Sequence, residues 1–460
     1  MTCSLIRVID RNSAYNYWVT DVPGSGDKIP RSYGTAVINP KSLIINGPYL
    51  SRTAEIRDGS VYIHADFNSS TSSLEVIGAP KSTKELILNG KGQAFDVSDA
   101  GTLVVKKVPN VPSTKHALPD LKKLDWHGVD TVPEISPDYD SSKWQAADLQ
   151  KTYNSWDKVT QKTPTSLFSS DYGFHTGALI FIGKFTAGGG EEKLTLSPQG
   201  GVAFAYTIWL DGDYLGSYAG SIQSRYHDGT FKLDSPLTSG TSHTITVLID
   251  NMGLESNWVA RVDTMKEPRG ILNWGLQDAN GTTDTEITWA LTGNLGGENY
   301  QDKARGPLNE GGFFAERNGY HLPSPPLDKF KKTSPFDGLK APGATFYTAK
   351  FSLDLPSEHD VPLYVAFHDA QNVPSYRAFI FINGWQFGRY VSNLGPQTYF
   401  PVPEGIINHR GENWIGLVVW AIDTPVTPNL KLEGALPVLT GMKPVELVDS
   451  PAYKEREGAY

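Results

Sequence analysis

The chain has 460 residues, which is long enough for roughly two to four domains that each bury a core. Its formal net charge is −9 and it has no basic stripe, so nucleic acid is excluded as an expected partner, because phosphate contacts need clustered Lys or Arg. The single cysteine, Cys3, excludes an intrachain disulfide and a cysteine-based zinc cluster.

Glycine and proline are abundant, with 45 and 31 residues, and aromatic side chains make up 11% of the chain. Together with short strand-like runs, this composition predicts an all-β protein with many turns. The longest apolar run, 415–422, is far shorter than a membrane span, so no membrane partner is expected. The sequence has no zinc-protease, phosphate-loop, nucleophile-elbow or dinucleotide motif, and no two of its ten histidines are two or four residues apart. The sequence therefore predicts no cofactor and no metal site.

The first part of the chain predicts two β segments. Residues 1–26 are predicted to be the last strand or strands of an incomplete upstream β domain, because Leu5, Val8 and Ile9 lead directly into a turn. The N-terminus has no basic region, long apolar region or cleavage site, so no signal peptide is predicted. Residues 27–112 are predicted to form a small Greek-key β-sandwich. Its predicted strands, separated by Asn-Gly and Asp-Gly turn signals, are 42–45, 60–64, 74–77, 85–88 and 102–106.

A proline-rich segment follows this sandwich. Prolines at positions 109, 112, 119, 133 and 137 argue against a helix or a central strand, so residues 109–137 are predicted to be an extended connector. Residues 138–149 are predicted to form one short helical turn.

One motif occurs twice in the rest of the chain. Residues 208–218 read I-W-L-D-G-D-Y-L-G-S-Y, and residues 380–390 read I-F-I-N-G-W-Q-F-G-R-Y. Asp211-Gly212 and Asn383-Gly384 supply the positive φ angles that a two-residue hairpin turn requires. Predicted strands surround both copies, at 178–185, 202–210, 230–233, 244–249 and 286–291, and then between 344 and 447. We therefore predict two related β-sandwich domains, at 113–310 and 311–460.

The first candidate functional residue is Trp258, in the stretch D-N-M-G-L-E-S-N-W at 250–258. This stretch directly follows a predicted buried strand and is polar. An exposed tryptophan on such a loop can pack its flat face against the C–H side of a pyranose ring. The alternative is that Trp258 closes the end of its own sandwich, and residue type alone favours this alternative, because most tryptophans are structural.

A second candidate is a set of polar residues that suits hydroxyl binding or general acid and base roles. Its glycine-rich surroundings are equally typical of turns, and we favour the interpretation that its charges are paired in solvent. No catalytic residue is therefore predicted. The set comprises Asn294, Glu298, Asn299, Arg305, Asn309, Glu310, Glu316 and Arg317.

Two N-x-[ST] sequences predict glycosylation sites at Asn68 and Asn280. Both lie beside predicted turns, where a glycan is tolerated. They give a weak indication of a secreted origin.

Long strings spread along the whole chain resemble the C-terminal part of large secreted fungal β-galactosidases of glycoside hydrolase family 35. The strings follow the same order as in that family, from about residue 3 to the last residue. They are D-R-N-S-A-Y-N-Y-W (10–18), P-T-S-L-F-S-S-D-Y-G-F-H-T-G-A-L (164–179), D-N-M-G-L-E-S-N-W (250–258), P-R-G-I (268–271), L-T-G-N-L-G-G-E-N-Y (291–300), R-G-P-L-N-E-G-G (305–312), G-P-Q-T-Y-F-P-V-P-E-G-I (395–406) and K-E-R-E-G-A-Y (454–460).

The resemblance implies an all-β fold: a small Greek-key β-sandwich followed by two galactose-binding-like jelly-roll β-sandwiches. In the family, an N-terminal (β/α)₈ barrel carries both catalytic glutamates, and no stretch of this sequence has the alternating pattern of such a barrel. The resemblance further implies that Trp258 lines the site for the sugar next to galactose when a barrel-containing chain is present. It also implies secretion, whereas a true start at Met1 without a signal peptide would leave the location cytoplasmic or unknown.

Two other hypotheses stay open at this point. In the first hypothesis, the chain is an autonomous carbohydrate-binding protein, with Trp258 and Trp385 as exposed aromatic candidates. Alternatively, the scaffold has been recruited to another chemistry or to a protein partner, in which case an exposed apolar patch is expected where the family's barrel would pack.

Overall fold

The computed structural model describes residues 8–22, 42–155, 159–254, 266–294, 302, 304–395 and 397–442. Within these ranges there are 30 strands and one α-helix of four residues, α1 (Phe314–Arg317). The described residues also form 3₁₀ turns at Ser13–Asn16, Leu121–Lys123, Pro133–Ile135, Ser169–Tyr172, Leu327–Lys329, Pro335–Asp337 and Glu404–Ile406. The predicted all-β class is confirmed. No helix in the described part is long and apolar enough to cross a membrane.

The first fifteen strands are β1 (Tyr17–Asp21), β2 (Ser42–Asn46), β3 (Leu50–Arg57), β4 (Ser60–Asp66), β5 (Leu74–Ile77), β6 (Glu85–Leu88), β7 (Lys91–Gln93), β8 (Asp96–Val97), β9 (Leu103–Val105), β10 (His127–Asp130), β11 (Gln145–Ala146), β12 (Gly177–Thr186), β13 (Lys193–Gln199), β14 (Tyr206–Leu210) and β15 (Asp213–Tyr218). The remaining strands are β16 (Gly229–Lys232), β17 (Ser242–Asn251), β18 (Gly270–Asp278), β19 (Gly281–Thr282), β20 (Thr288–Thr292), β21 (Lys331–Lys332), β22 (Gly343–Asp354), β23 (His359–Asp360), β24 (Leu363–Phe367), β25 (Tyr376–Ile382), β26 (Trp385–Val391), β27 (Tyr399–Pro401), β28 (Arg410–Ala421), β29 (Leu430–Gly434) and β30 (Val438–Leu439).

The smaller of two compact units comprises residues 1–118, 354–364 and 433–446. It contains a five-stranded sheet in the order β1-β2-β5-β9-β8 and a four-stranded sheet in the order β3-β4-β6-β7. Alternate residues of both sheets, such as Ile45, Val61, Ile63 and Val76, share one buried core. This arrangement is the predicted small β-sandwich. Strands 74–77 and 85–88 have the predicted bounds, and β3 was missed by the sequence analysis.

The larger unit comprises residues 119–353, 365–432 and 447–460. Its first sandwich pairs a six-stranded sheet, β11-β20-β12-β17-β14-β15, with a four-stranded sheet, β16-β13-β18-β19. The core between them is built from alternate residues of facing strands, including Phe181, Leu194, Leu196 and Val247. Period-two burial along β13 follows from this packing, because only one of its faces meets the other sheet.

The second sandwich has a six-stranded sheet, β21-β10-β22-β28-β25-β26, and a three-stranded sheet, β27-β24-β29. The two six-stranded sheets of this unit pack against each other through a further core that includes Ile180, Leu248, Phe379 and Trp420. The indole Nε1 of Trp420 donates to the Thr207 hydroxyl at 3.1 Å across this contact. Strands such as β25 are therefore buried on both faces.

Three expectations from the sequence are wrong in this unit. The predicted connector contains β10, which pairs with β22 of the second sandwich; the strand lies between Pro119 and Pro133, so no proline interrupts its hydrogen bonds. Residues 138–149 form no helical turn; within them β11 pairs with β20. The strand predicted from 202 begins only at Tyr206, because Ala203 has a φ of 65°. The boundary near residue 310 between the two predicted jelly rolls stays a prediction.

The repeated motif forms equivalent hairpins, β14–β15 and β25–β26. Asp211 and Asn383 have φ angles of 53° and 49°, as a turn of type I′ requires. Each side chain also holds the neighbouring strand: the backbone N–H of Thr244 donates to Asp211 Oδ1, and that of Trp414 donates to Asn383 Oδ1, both at 2.8 Å. The prediction that one supersecondary unit is used twice is confirmed.

Candidate functional site at the base of loop 250–258

The loop that carries Trp258 leaves the sheet at the end of β17 and returns just before β18. Trp258 itself lies within 255–265, outside the described residues. The described part of the site is therefore its base, which consists of residues 250–254 and 266–271. The side chains of this base determine how the two ends of the loop are held.

Arg269 joins the two ends of the loop. It is 1% exposed, and its Nε and Nη2 donate to the Gly253 carbonyl at 3.1 and 3.0 Å. Its Nη1 lies 3.1 Å from the carboxylate of Glu267, which neutralises the buried charge. Because charge-assisted hydrogen bonds in a buried setting are strong and directional, Arg269 fixes the distance between the outgoing and returning strands.

Asn251 holds the outgoing strand to its surroundings. Its Nδ2 donates to the His175 carbonyl at 3.2 Å, and its Oδ1 accepts from the Gly253 N–H at 2.9 Å. The Met252 N–H donates to the Gly200 carbonyl at 2.8 Å. The backbone of 251–253 is thus held at each residue before the loop leaves the described region.

Asp250 lies beneath the loop base and is 0% exposed. Its Oδ1 is 2.8 Å from Nη1 of Arg389, and its Oδ2 is 3.6 Å from Nε of Arg377. Burial raises the pKa of Asp250, and the two guanidinium groups oppose that rise. Arg377 also donates to the carbonyls of Ala203 and Ala219 at 3.1 and 2.8 Å. The end of β17 is therefore tied to the second sandwich by buried charges.

The segment R-G-P-L-N-E-G-G at 305–312 packs on the hairpin β25–β26. Asn309 donates to the Gly384 carbonyl at 2.9 Å and accepts from the Gln386 N–H at 2.9 Å. Glu310 accepts from Gln386 Nε2 at 2.8 Å and from Arg389 Nε at 3.0 Å. Because Arg389 also reaches Asp250, this segment and the loop base share one network.

The prediction that the charges of 294–317 are paired in solvent is wrong for two residues. Glu316 is buried and accepts from the Phe313 N–H at 3.1 Å, and burial raises the pKa of Glu316 to about 8. Arg317 forms an ion pair with Glu134, which is 0% exposed. The reason is that Phe313 and Ala315 belong to the core between the six-stranded sheets, so their neighbours are enclosed with them. Glu298 and Asn299 lie outside the described residues.

The other candidates are placed as follows. Trp385, expected to be an exposed aromatic, is half-buried, and the Arg305 guanidinium lies 5.3 Å from its ring centroid. Asn280 is exposed in the turn between β18 and β19, and Asn68 is half-buried just after β4. Across the described ranges, no three His, Cys, Asp or Glu side chains are grouped closely enough to hold a metal ion.

Sequence reasoning missed Arg377 and Arg389, although Arg389 lies inside the repeated motif. The position is Arg in the second copy, where the motif ends G-R-Y, and Ser217 in the first, where it ends G-S-Y. This difference between the two copies is the sequence feature that could have identified Arg389. The carboxylates of this site bond to guanidinium, side-chain amide or backbone N–H groups, so the arrangement is suited to holding a backbone in place.

Comparison with known proteins agrees with this architecture. Residues 18–104 match the family described as β-galactosidase domain 3. Residues 139–255 and 314–424 match the family described as β-galactosidase second all-beta domain. Each of the two latter segments contains one copy of the repeated motif.

Individual relatives give the same result. β-Galactosidase A of Aspergillus niger and β-galactosidase A of Aspergillus oryzae are each 47% identical to this chain over 457 residues, which is 99% of this chain and 44% of each relative. The chain therefore belongs to the β-galactosidase family. It corresponds to the non-catalytic, C-terminal β-sandwich region of these fungal enzymes, and it spans less than half of their length. A solved β-glucuronidase from Bacteroides uniformis covers 69% of this chain and 27% of its own at 13% identity, with a TM-score of 0.21, which is too low to add to this conclusion.

Proposed function

We propose that this chain supports galactoside hydrolysis by presenting Trp258 to a sugar that is held by a β-galactosidase barrel. The observation that carries the proposal is the rigid base of loop 250–258, where buried Arg269 and buried Asp250 hold the ends of the loop. A binding side chain is effective when its support is fixed before the ligand arrives, because no ordering cost is then added to binding.

Two further features favour this role over a purely structural one. Burying charges to hold a loop is costly compared with apolar packing, so a loop held in this way is better explained by a need for position than by a need for stability. An indole face offers a large, flat apolar area to the C–H face of a pyranose ring. On this proposal, Arg269 is a positioning residue and Trp258 contacts the sugar.

The test is a galactosidase assay on the purified chain, with and without a barrel-containing fragment of a β-galactosidase. We expect activity only on mixing, and we expect Trp258→Ala to raise KM by roughly tenfold, which is about 1.4 kcal/mol, with Trp258→Phe intermediate. Trp414→Phe, a substitution of another tryptophan, is the control. Turnover by the chain alone, or an unchanged KM for Trp258→Ala, would refute the proposal.

The positioning role of Arg269 has its own readout. Arg269→Gln keeps a donor but loses the charge and one of the two bonds to Gly253. We expect it to raise KM in the mixed system while leaving kcat within about twofold, because the reacting groups are on the other fragment. A drop in kcat with unchanged KM would mean that Arg269 acts only through folding.

We also propose that the protein is secreted and carries N-glycans at Asn68 and Asn280. The exposed turn at Asn280 supports the glycan at that residue, because a glycan there meets no packed surface.

A further inference from the structure

A cavity of about 420 Å³ lies in the first sandwich and is formed by residues other than those of the loop base. Its walls are the middle of β18, the chain from β19 to the start of β20, and the segment 162–165. Since β18–β19 and β20 belong to opposite sheets, the cavity occupies the gap between the sheets where they face each other near an edge. Its volume is within the range of about 300–1,000 Å³ that is usual for small-molecule sites.

Two tryptophans contribute to the apolar part of this cavity, together with Pro164 and Ile287. Trp274 and Trp289 have ring centroids 6.2 Å apart with an interplanar angle of 56°, and both contact the core of the sandwich. Trp289 is only 3% exposed. Among the described residues, neither indole Nε1–H has a hydrogen-bond partner, although both atoms are buried. Because these N–H groups are closed off from the cavity, the indoles offer a ligand apolar ring surface and no hydrogen bond.

The remaining walls are polar. Thr163 and Thr283 donate to backbone carbonyls, and Thr285 donates to Glu191, so these hydroxyls fix the wall itself. Other side chains of the lining, Thr165, Thr282, Asp284, Glu286 and Thr288, offer hydroxyl and carboxylate oxygens. The two carboxylates of the lining, Asp284 and Glu286, outnumber its one amine, Lys162, which disfavours an anionic ligand. The many threonine hydroxyls disfavour a wholly apolar one.

We propose that this cavity is a binding site for a neutral hexopyranose, separate from loop 250–258. A pyranose ring has an apolar C–H face and a rim of hydroxyls, which is the combination that an indole surface bordered by threonine and carboxylate oxygens complements. The proposal depends neither on Trp258 nor on a catalytic barrel. The proposal places autonomous sugar binding at this cavity and not at Trp258 or Trp385, the two tryptophans expected from the sequence.

The test is isothermal titration calorimetry and saturation-transfer NMR on the purified chain. The probes are methyl β-D-galactopyranoside and methyl β-D-glucopyranoside. The concentration of each is raised to about fifty times a Kd of 1 mM, because a Kd of that size is at the weak end of the affinity scale. We expect saturable binding with a Kd near 1 mM for at least one probe. We expect Trp274→Ala to weaken binding at least tenfold, which is about 1.4 kcal/mol.

Two more variants keep the test decisive. Thr165→Trp fills the cavity from segment 162–165 without removing a core side chain, and we expect it to abolish binding while circular dichroism is unchanged. Trp414→Ala is the matched control, since it removes another half-buried tryptophan, and we expect wild-type affinity. The proposal is overturned if wild-type protein binds neither probe. It is equally overturned if Trp258→Ala abolishes binding while Trp274→Ala and Thr165→Trp do not.

Discussion

Nη1 of Arg389 is 2.8 Å from the carboxylate of Asp250, and the side chain of Arg389 is 11% exposed while that of Asp250 is 0% exposed. The pair joins the end of β17 in the first sandwich to β26 in the second. Glu310 contacts the same guanidinium from the segment 305–312. A buried pair of this kind contributes little net stability relative to apolar packing, but removing one partner leaves an uncompensated charge. The pair therefore serves to fix the position of the end of β17 against β26.

Removing the guanidinium should be strongly destabilising. We expect Arg389→Met to lower the free energy of unfolding by about 3–5 kcal/mol, because Asp250 then loses its nearest counter-charge in a buried site. Urea unfolding measures the effect. Lys350→Met is the control: its amine is 2.5 Å from Glu412, but both side chains are at least half exposed, and we expect a change below about 1 kcal/mol. Equal effects of the two substitutions would contradict this account of the buried pair.

The motif glycines Gly216 and Gly388 are required by close packing. A β-carbon at Gly388 would lie 2.6 Å from Cδ1 of Phe400, and one at Gly216 would lie 2.4 Å from Cε1 of Phe231. We expect Gly388→Ala to destabilise the protein by about 1–3 kcal/mol through overpacking, measured as a lower Tm.

The control for this substitution is Gly405→Ala, where a β-carbon meets no atom within 4 Å. We expect it to leave Tm unchanged within a degree or so, or to raise it slightly by reducing the freedom of the unfolded chain. Adding Phe400→Leu to Gly388→Ala should restore part of the lost stability. Absence of any such rescue would show that the cost arises elsewhere.

Glu316 should make stability fall as the pH rises. Burial raises the pKa of Glu316 from its ordinary value of 4.5 to about 8, with Glu310 adding to the rise, so folding takes up a proton between these values. The free energy of unfolding therefore declines from about pH 4.5 upwards through pH 8 and is level beyond. Glu316→Gln removes this decline.

The measurement compares urea midpoints of wild type and Glu316→Gln between pH 6.5 and 8.5. Burial lowers the pKa of His321 from 6.5 to about 4, so the contribution of His321 to stability changes mainly below this window and equally in both proteins. The difference in stability between the two proteins therefore isolates Glu316. We expect the variant to gain stability relative to wild type as the pH rises. A constant difference across the window would mean that Glu316 is ionised in the folded protein.

Glycan occupancy should differ between the two sequons. Asn280 is exposed, whereas Asn68 is half-buried and its side-chain oxygen already accepts from the Ser70 N–H at 3.0 Å. On secretion from a fungal host, we expect a mass shift on endoglycosidase treatment that is reduced by Asn280→Gln more than by Asn68→Gln. The intact mass of each variant gives the answer, and an unchanged shift in Asn280→Gln would exclude that site.

The repeated hairpins show what could be predicted locally. Asp211-Gly212 and Asn383-Gly384 predict their turns because positive φ angles are a property of the residues themselves. Strands such as β5 and β6 were predicted with their observed bounds because period-two alternation records one buried face. Where both faces are buried, as in β25, that alternation disappears, and the sequence does not say what covers the second face.

The sequence by itself determined the all-β class, the two-fold use of one hairpin unit and the family to which the chain belongs, since these depend on local turn preferences, alternation and long matching strings. Only the tertiary structure decided that Glu316 is buried, that Arg317 pairs with the buried Glu134, that β10 joins the second sandwich, and that Asp250 meets Arg389 across 139 positions of the chain. These outcomes depend on which distant surfaces exclude water together. A charged residue has the same letter in solvent and in a core, and its environment is determined by the segments that pack around it.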